Sequence, residues 1–339
     1  MPVRDGARYL GGALSSLLRT GHPTFELIVV DDGSTDDSVV IAKAACRRHP
    51  NLILLQQPAQ GVAAALEHGR CHARAKLIAR MDADDLAAPE RLARQMAAFE
   101  ADAELVLLGT AVDKINERGR TVGRSVYPTG HDNLVRELAV RNPFIHSTVM
   151  MRAATVESVG GYRQFFEAAE DYDLWLRLAE RGRIANLRER LGAHRSHVNS
   201  VTRRAAVRQA FSAALARRCA AARRRGDPDP ADGMEQPLDL YVGAAAPVAF
   251  ACDARLFQTL AFADEATFTI RSPTRDDINL LLQGQLPTVE AKLAHAALSN
   301  VLRRDAVPAG IKRRDVFMAL VRRGPLWTVK EAVGWVLTP

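Results

Sequence analysis

The amino-acid sequence predicts an α/β fold, with a mostly parallel sheet flanked by helices and a C-terminal region that is mainly helical. Two observations predict it. Through residue ~190, apolar segments of strand length alternate with segments of helical periodicity, which is typical of a parallel sheet covered on both faces. From residue 203 the sequence becomes rich in Ala and Arg, and no clear strand pattern follows. We therefore predict two domains, at residues 1–202 and 203–339.

The elements of the first region follow from apolar spacing. Leu10 and Leu14 lie on one face of the first predicted helix. Ser34 or Thr35 is placed to cap the second helix, and Pro89 is expected in the first turn of the fourth. The predicted helices cover residues 9–18, 35–48, 61–74 and 89–100, and the predicted strands cover 25–30, 52–55, 76–81 and 105–108.

The composition is that of an ordinary globular protein. The 339 residues are 47% hydrophobic and 25% charged. No window approaches the ~18 apolar residues that a membrane span requires, and the first residues lack the features of a signal peptide. The four cysteines show no CxxC spacing, so we expect reduced thiols and neither a zinc site nor a disulfide framework. Together these features predict a cytoplasmic protein.

The net charge of +7 is unevenly distributed. Residues 203–339 hold 20 of the 46 Lys and Arg but 14 of the 39 Asp and Glu, so this region carries +6. Nucleic acid is not expected as the partner, because residues 203–225 contain a single aromatic residue for base stacking. Trp327 and Trp335 can share one face of a helix, which suits either core packing or peripheral contact with the inner face of an anionic membrane.

The segment Asp31-Asp32-Gly33-Ser34 directly follows the predicted strand at 25–30. In an open α/β sheet, ligands bind beyond the carboxyl ends of the strands. The segment is typical of a tight turn before a helix, with Gly at an unusual backbone angle and Asp favouring the helix dipole. It equally suits a binding role, in which an Asp accepts a hydrogen bond from a nucleobase or a ribose.

A second acidic turn, Asp82-Ala83-Asp84-Asp85, follows the predicted strand at 76–81. Three carboxylates within four residues repel one another unless cations or solvent offset their charge. A solvated turn is one explanation. The other is a divalent cation held by one or two carboxylates together with substrate phosphates, which is how Mg²⁺ is usually bound.

Two further candidates lie later in the chain. Glu170 and Asp171 begin an amphipathic helix, where a carboxylate either caps the helix or serves as a general base. His197 lies in a stretch that reads as a loop, and a lone histidine is more often structural than a ligand.

These segments together resemble glycosyltransferase family 2, whose members have the GT-A fold with a Rossmann-like sheet. The resemblance covers residues 1 to about 202. The motifs that carry it occur in this order: Met1-Pro2-Val3, Asp31-Asp32-Gly33-Ser34, Met81-Asp82-Ala83-Asp84-Asp85, His146-Ser147-Thr148-Val149-Met150-Met151-Arg152, Gly160-Gly161-Tyr162, Glu170-Asp171-Tyr172-Asp173-Leu174-Trp175 and His194-Arg195-Ser196-His197.

The resemblance implies a role for each matching residue. Asp82 and Asp84 match the DxD motif, the first near the ribose and the second binding the metal at the diphosphate. Asp171 matches the catalytic base, and Glu170 is its neighbour on the acceptor side. The segment from His194 matches a loop that closes over the donor. The expected nucleotide-sugar site consists of Val3, Asp31, Asp32, Asp82 and Arg195, and the expected metal ligands are Asp84 and His197.

The resemblance also implies the reaction. We expect an inverting, metal-dependent glycosyltransferase of the hexosyltransferase type that uses Mn²⁺ or Mg²⁺. The expected donor is a nucleotide-diphosphate sugar, with a UDP-sugar favoured, and the expected acceptor is a hydroxyl of a glycan or a lipid-linked saccharide. A single base opposite the leaving group implies one in-line displacement and hence inversion, while a cation stabilises the departing diphosphate.

Three departures from the family pattern stand out. The chain starts where the first strand of the family normally ends, so either the native start lies upstream or the domain is weakened. Leu66-Glu67 occupies the place of the Arg-Asn pair in a family helix that contacts the donor, and His194 replaces a Tyr. The alternatives are a pseudoenzyme that only holds nucleotide and a nucleotidyltransferase, for which Val3-Arg4-Asp5-Gly6 would be a weak phosphate loop.

Overall fold

The computed structural model describes residues 1–19, 25–166, 168–196, 206–237, 250–260, 272–282, 288–304 and 306–323. The chain divides into two compact units. The first unit comprises Met1–Arg204 with Ala216–Gln236, and the second comprises Ala205–Leu215 with Pro237–Pro339. The domain boundary expected at residue 202 stays a prediction.

Strands and helices alternate in the first unit, and the second is helical in its described part. The strands are β1 (Pro2–Val3), β2 (Leu27–Asp32), β3 (Leu52–Gln57), β4 (Leu77–Ala79), β5 (Leu86–Ala87), β6 (Leu105–Ile115), β7 (Thr121–Ser125), β8 (Met150–Arg152) and β9 (Arg183–Arg195). The helices are α1 (Ala7–Leu18), α2 (Ser38–Cys46), α3 (Val62–His72), α4 (Arg91–Ala101), α5 (His131–Leu138), α6 (Ala153–Ser158), α7 (Glu170–Leu178), α8 (Ala206–Arg224), α9 (Ala251–Leu260), α10 (Arg275–Leu282), α11 (Thr288–Arg303) and α12 (Arg313–Arg323).

The first sheet is parallel and has the order β1-β2-β3. Every residue of β2 is buried, as expected of a strand covered on both faces. Leu10 and Leu14 of α1 pack in one core cluster with Val29, and Val30 packs with Ala65 of α3 in another. Helices therefore cover both faces of the strand that ends in Asp31 and Asp32.

The second sheet has the order β4-β8-β6-β9-β5, with β7 also paired to β6. Only its β6–β9 pair is parallel, and the β4–β8, β6–β8, β5–β9 and β6–β7 pairs are antiparallel. The α/β class predicted from the sequence is confirmed, while this mixed sheet is a feature that the sequence pattern did not predict. Strand β9 contains His194 and Arg195, which we had placed in a loop.

Two expected helix starts are wrong. Helix α2 begins at Ser38, and no side chain caps it. Ser34 and Thr35 instead bind the turn after β1: the amide of Asp5 donates to Ser34 Oγ at 3.0 Å, and the amide of Thr35 donates to Asp5 Oδ1 at 2.7 Å. Helix α4 begins at Arg91, so Pro89 precedes its first turn.

In the second unit, the structure describes residues 206–215 and helices α9 to α12. Phe211 and Phe257 pack with their ring centroids 5.4 Å apart. Ile278, Leu298 and Val316 are fully buried. In the described part of the chain, no helix has both the length and the apolar character needed to cross a membrane. Trp327 and Trp335 lie outside the described residues, so the expected membrane contact stays a prediction.

Candidate active site

The two carboxylates of the acidic turn after β2 differ in their hydrogen bonding. Asp32 accepts hydrogen bonds from Gln57 Nε2 at 2.8 Å and from the amides of Gln60 and Gly61 at 2.8 and 2.9 Å. It therefore fixes the loop between β3 and α3. Asp31 is equally buried, and its Oδ1 has no hydrogen-bond partner among the residues that the structure describes. An unpaired buried carboxylate oxygen is costly, and a ligand donor would remove that cost.

Val3 lies directly beside this turn. It pairs with Asp31 in the parallel β1–β2 ladder. Its side chain is buried in the core with Leu10 and Val29. Because the side chain belongs to the core, any contact of Val3 with a nucleotide would involve its main chain.

The second acidic turn brings three carboxylates together after β4. The ligand oxygens of Asp82, Asp84 and Asp85 lie within 4.8 Å of one another. Asp82 forms an ion pair with Arg80, and its amide donates to Ser147 Oγ at 2.7 Å. Asp82 and Asp84 are partly exposed, whereas Asp85 is buried. The side chains of Asp82 and Asp84 are therefore accessible to a substrate, which would displace the solvent around them.

Asp85 connects this turn to the end of β9. It accepts hydrogen bonds from His194 Nδ1 at 3.0 Å and from the Arg195 amide at 2.7 Å. Burial alone would raise the pKa of Asp85, but these bonds and one from Ser147 hold the pKa below its ordinary value. The Asp85 hydrogen bond in turn raises the pKa of His194. Sequence reasoning gave Asp85 no role of its own, although its burial shows a structural one.

The guanidinium of Arg195 is held by main-chain groups. Its Nε donates to the Asp84 carbonyl at 2.7 Å, and its Nη1 donates to the Asn116 carbonyl at 2.9 Å. The guanidinium also lies over the Tyr9 ring, 4.5 Å from the centroid. Arg195 thus fixes the backbone of the DxD turn. Its contact with a donor diphosphate stays a prediction.

The acidic turn fits a divalent cation. Carboxylate oxygens are ligands that Mg²⁺ and Mn²⁺ prefer, and three of them are close enough to share an ion. Because Asp85 is engaged by β9, Asp82 and Asp84 are the two that suit direct ligation. His197, the other expected ligand, lies outside the described residues.

Glu170 and Asp171 open α7 as a second acidic pair. Asp171 Oδ2 accepts a hydrogen bond from Asn142 Nδ2 at 2.8 Å, and Asp171 Oδ1 accepts one from the Tyr172 amide at 2.6 Å. Burial and the neighbouring Asp171 charge raise the pKa of Glu170 to about 8. Burial also raises the pKa of Asp171, while hydrogen bonds and the Arg80 charge oppose that effect. With its pKa at about 8, Glu170 is mostly protonated at neutral pH, which lessens the negative charge beside Asp171.

A neutral histidine lies against this pair. His146 Nδ1 is 3.9 Å from Glu170 Oε1 and 4.0 Å from Asp171 Oδ2. Burial and the Arg80 charge lower the pKa of His146 well below its ordinary value, so the ring is uncharged. Its Nε2 forms a 3.0 Å hydrogen bond with the Tyr162 hydroxyl. The sequence does not predict His146 or Asn142 as site residues. The one signal it contains is that His146 begins one of the motifs that resemble the family.

Asp173 has a structural role. It is fully buried and forms ion pairs with both Arg163 and Arg177. Removing one member of a buried ion pair leaves an uncompensated charge, so replacement of Asp173 by Asn is expected to destabilise the fold.

Glu67 of α3, one of the departures from the family pattern, forms an ion pair and a hydrogen bond within the protein. It forms a salt bridge with Arg70 at 2.7 Å and accepts a hydrogen bond from the Tyr162 amide at 3.0 Å. A Cβ added to Gly161 would lie 2.3 Å from Glu67 Oε2, and Gly161 has a φ of +66°. The residue that replaces the family Asn therefore anchors the Gly160-Gly161-Tyr162 turn.

The chain is similar to several known glycosyltransferases. The profile of glycosyl transferase family 2 matches residues 1–160. EpsE of Bacillus subtilis is 35% identical over 212 residues, which cover 60% of this chain and 74% of EpsE. The amylovoran biosynthesis glycosyltransferase AmsE of Erwinia amylovora is 33% identical over 184 residues, 53% of this chain and 67% of AmsE. The O-antigen biosynthesis glycosyltransferase WbnJ of Escherichia coli is 32% identical over 216 residues, 61% of this chain and 82% of WbnJ.

Among solved structures, S. aureus TarS 1-349 in complex with UDP-GlcNAc superposes with a TM-score of 0.57 at 16% identity. The match covers 97% of this chain and 90% of that one. This likeness shows the GT-A fold. The site and the fold thus define a glycosyltransferase. The chain belongs to glycosyltransferase family 2.

Proposed function

We propose that this protein is an inverting, metal-dependent glycosyltransferase that moves a sugar from a UDP-sugar or related donor to an acceptor hydroxyl. The observation that carries the proposal is the pairing of two acidic groups. One is a partly exposed carboxylate cluster suited to a cation, and the other is the buried Glu170–Asp171 pair, in which Asn142 and the Tyr172 amide orient Asp171. Metal-assisted departure of a diphosphate and removal of a hydroxyl proton need these two kinds of group.

The donor side of the proposed site begins at the end of β2. Asp31 offers a buried oxygen, which lacks a partner in the described part of the chain, to a base or ribose donor, and Asp32 holds the adjacent loop in place. Asp82 and Asp84 would hold Mn²⁺ or Mg²⁺, with His197 as a further ligand. A bound divalent ion supplies electrostatic stabilisation of the negative charge on the departing nucleoside diphosphate. Arg195 keeps the backbone of that turn rigid.

The acceptor side consists of Asp171 and the groups that orient it. Asn142 and the Tyr172 amide fix the carboxylate, and neutral His146 packs beside it. Asp171 would take the proton of the acceptor hydroxyl as that oxygen attacks the anomeric carbon. Glu170, which holds a proton at neutral pH, would contact the acceptor as a hydrogen-bond donor. A base that acts directly on the acceptor hydroxyl implies a single displacement with inversion.

The relatives suggest the biological setting. AmsE and WbnJ are named for amylovoran and O-antigen biosynthesis, so we propose that the acceptor is a growing surface glycan or a lipid-linked saccharide. The TarS complex contains UDP-GlcNAc, which makes UDP-sugars the first donors to test. We further propose that the basic C-terminal region, residues 203–339, contacts the inner face of the membrane from the cytoplasm.

A screen of nucleotide-sugars tests the proposal. The purified chain is incubated with UDP-, GDP- and dTDP-sugars, with Mn²⁺, Mg²⁺ or EDTA, and release of the nucleoside diphosphate is measured. We expect release with at least one donor, and its loss in EDTA. Nucleotide binding without turnover would indicate a pseudoenzyme, and release of pyrophosphate from a sugar phosphate and a nucleoside triphosphate would indicate a nucleotidyltransferase. Either result would overturn the proposal.

A further inference from the structure

His146 presents one ring nitrogen to the acidic pair that opens α7. Its Nδ1 lies 3.9 Å from Glu170 Oε1 and 4.0 Å from Asp171 Oδ2. Both distances are longer than a hydrogen bond. The side chains of His146 and Asp171 are 11% and 19% exposed, so both keep some surface that a substrate can reach. An oxygen about 2.8 Å from both groups would see them at an angle of roughly 90°, which a hydroxyl oxygen can accommodate.

Other histidines of the first unit use the same nitrogen within the protein. His131 Nδ1 accepts a hydrogen bond from the Ile184 amide at 3.2 Å. His194 Nδ1 binds Asp85 at 3.0 Å. Within the described residues, by contrast, His146 Nδ1 forms no hydrogen bond, and its polar neighbours are the two carboxyl groups of the site. This arrangement suits a nitrogen whose partner arrives with the substrate.

The ring of His146 is fixed by buried neighbours. Its Nε2 forms a 3.0 Å hydrogen bond with the Tyr162 hydroxyl, and the ring packs edge-on against Trp175 with the centroids 5.5 Å apart. Trp175 is fully buried, and Tyr162 is nearly so. The Tyr162 amide is bound in turn by Glu67. These contacts determine the direction in which Nδ1 points.

The partners of the ring also determine which nitrogen carries the proton. Burial, together with the Arg80 charge, lowers the pKa of His146 well below its ordinary value, so one nitrogen of the neutral ring donates and the other accepts. Burial raises the pKa of Tyr162, whose hydroxyl therefore keeps its proton and can donate to Nε2. An Nδ1 lone pair beside Glu170 and Asp171 would be repelled by carboxylate charge. We therefore assign the proton to Nδ1.

We propose that His146 is an acceptor-binding residue, whose Nδ1–H donates a hydrogen bond to the hydroxyl that Asp171 deprotonates. This inference rests on the proposed function. A hydroxyl oxygen has one proton and two lone pairs. The proton passes to Asp171, one lone pair accepts from His146, and the other forms the bond to the anomeric carbon as the bond from that carbon to the diphosphate oxygen breaks. Glu170 remains for a neighbouring group of the acceptor.

Three replacements separate hydrogen bonding from packing. His146→Phe keeps a ring against Trp175 but has no nitrogen. His146→Asn gives up the ring but keeps an amide that can donate near the position of Nδ1. Tyr162→Phe removes only the hydroxyl that fixes the tautomer. His131→Phe is the matched control, because the ring of His131 binds the Ile184 amide at the start of α5.

The assay uses the nucleotide-sugar that gives turnover in the donor screen, with octyl glucoside and octyl galactoside as acceptor probes. If neither glycoside accepts the sugar, water is the acceptor, and the rate of donor hydrolysis is compared instead. The measured quantities are kcat/KM for the acceptor, the donor KM and the melting temperature of each variant. Acceptor binding and donor binding are thereby followed separately.

Loss of the hydrogen bond should weaken use of the acceptor alone. His146→Phe should lower kcat/KM for the acceptor roughly 3–10-fold, the effect of one hydrogen bond, while the donor KM stays near normal. His146→Asn should recover most of this loss even though it melts at a lower temperature. Tyr162→Phe should have a smaller effect, and none when added to His146→Phe, because Tyr162 acts through the histidine. His131→Phe should change the melting temperature only.

Three outcomes would overturn this role of His146. One is a folded His146→Phe enzyme with normal kcat/KM for the acceptor. Another is a series in which activity follows the melting temperature and His146→Asn is the poorest variant, since the ring would then serve packing alone. If His146→Phe does not fold, unchanged use of the acceptor by Tyr162→Phe would refute the assigned tautomer and the proposal with it. Failure of the proposed function is distinct, because the unmodified enzyme would then release no nucleoside diphosphate from any nucleotide-sugar.

Discussion

Asp171→Asn replaces the proposed proton acceptor of the site with a neutral side chain of nearly the same size. The carboxylate accepts one hydrogen bond from Asn142 and one from the Tyr172 amide. An Asn side chain can accept only one of these, so its amide group would face a donor. That mismatch costs about 1–3 kcal/mol. The same change removes the charge beside Glu170, which offsets part of that cost, so we expect the variant to fold.

The expected loss is in the chemical step. Loss of a positioned general base costs typically ~10²–10⁴-fold in rate, which corresponds to about 3–5 kcal/mol in the activation free energy. The proposed donor-binding residues Asp31, Asp82 and Asp84 lie at the end of β2 and in the turn after β4, whereas Asp171 lies on α7. The variant should therefore show a lower kcat with nearly unchanged nucleotide affinity.

The assay measures transfer of radiolabelled sugar together with UDP affinity by calorimetry. Asp173→Asn is the matched control, because it is the same replacement two residues along α7 in a buried ion-pair network. It should lower stability by up to about 3–5 kcal/mol while the folded fraction keeps its turnover. If Asp171→Asn transfers sugar at more than roughly a tenth of the normal rate, the assignment of the base is refuted.

Three further predictions concern other parts of the chain. Asp84→Asn should reduce turnover and divalent-ion dependence together, and near-normal turnover of this variant in EDTA would show that the DxD assignment is wrong. Because the native state holds a proton on Glu170 that the unfolded chain has released, the free energy of unfolding should fall as pH rises from 4.5 to about 8. Urea titrations across that range should show this fall, and Asp171→Asn should make it smaller. The basic C-terminal region should sediment with anionic vesicles at low salt and be released at high salt, whereas absence of salt-sensitive binding would leave only a packing role for Trp327 and Trp335.

Much of the fold could be predicted because the first half of the chain follows the periodicities of buried strands and amphipathic helices. Strand β2 and helix α3 lie within two residues of their predicted limits. Strand β9 was missed because most of its residues are polar, including four arginines, and its pairing with distant β6 overrides that local preference. The cap predicted for α2 was wrong because Ser34 and Thr35 form hydrogen bonds with Asp5, which is distant along the chain.

The acidic residues of the site could be predicted from their positions at strand and helix ends, but their partners could not. Nothing local in the sequence shows that Asp85 binds His194, or that Asn142 orients Asp171. These contacts join residues separated by 109 and 29 positions. The pKa of a buried carboxylate depends on such neighbours, so the division of roles within an acidic pair requires the tertiary structure.

The departures from the family pattern on α3 are connected to the catalytic side of the site. Glu67 anchors the amide of Tyr162. The Tyr162 hydroxyl binds His146, and His146 lies beside Glu170 and Asp171. Glu67 of α3 is therefore connected to the proposed base Asp171 through Tyr162 and His146.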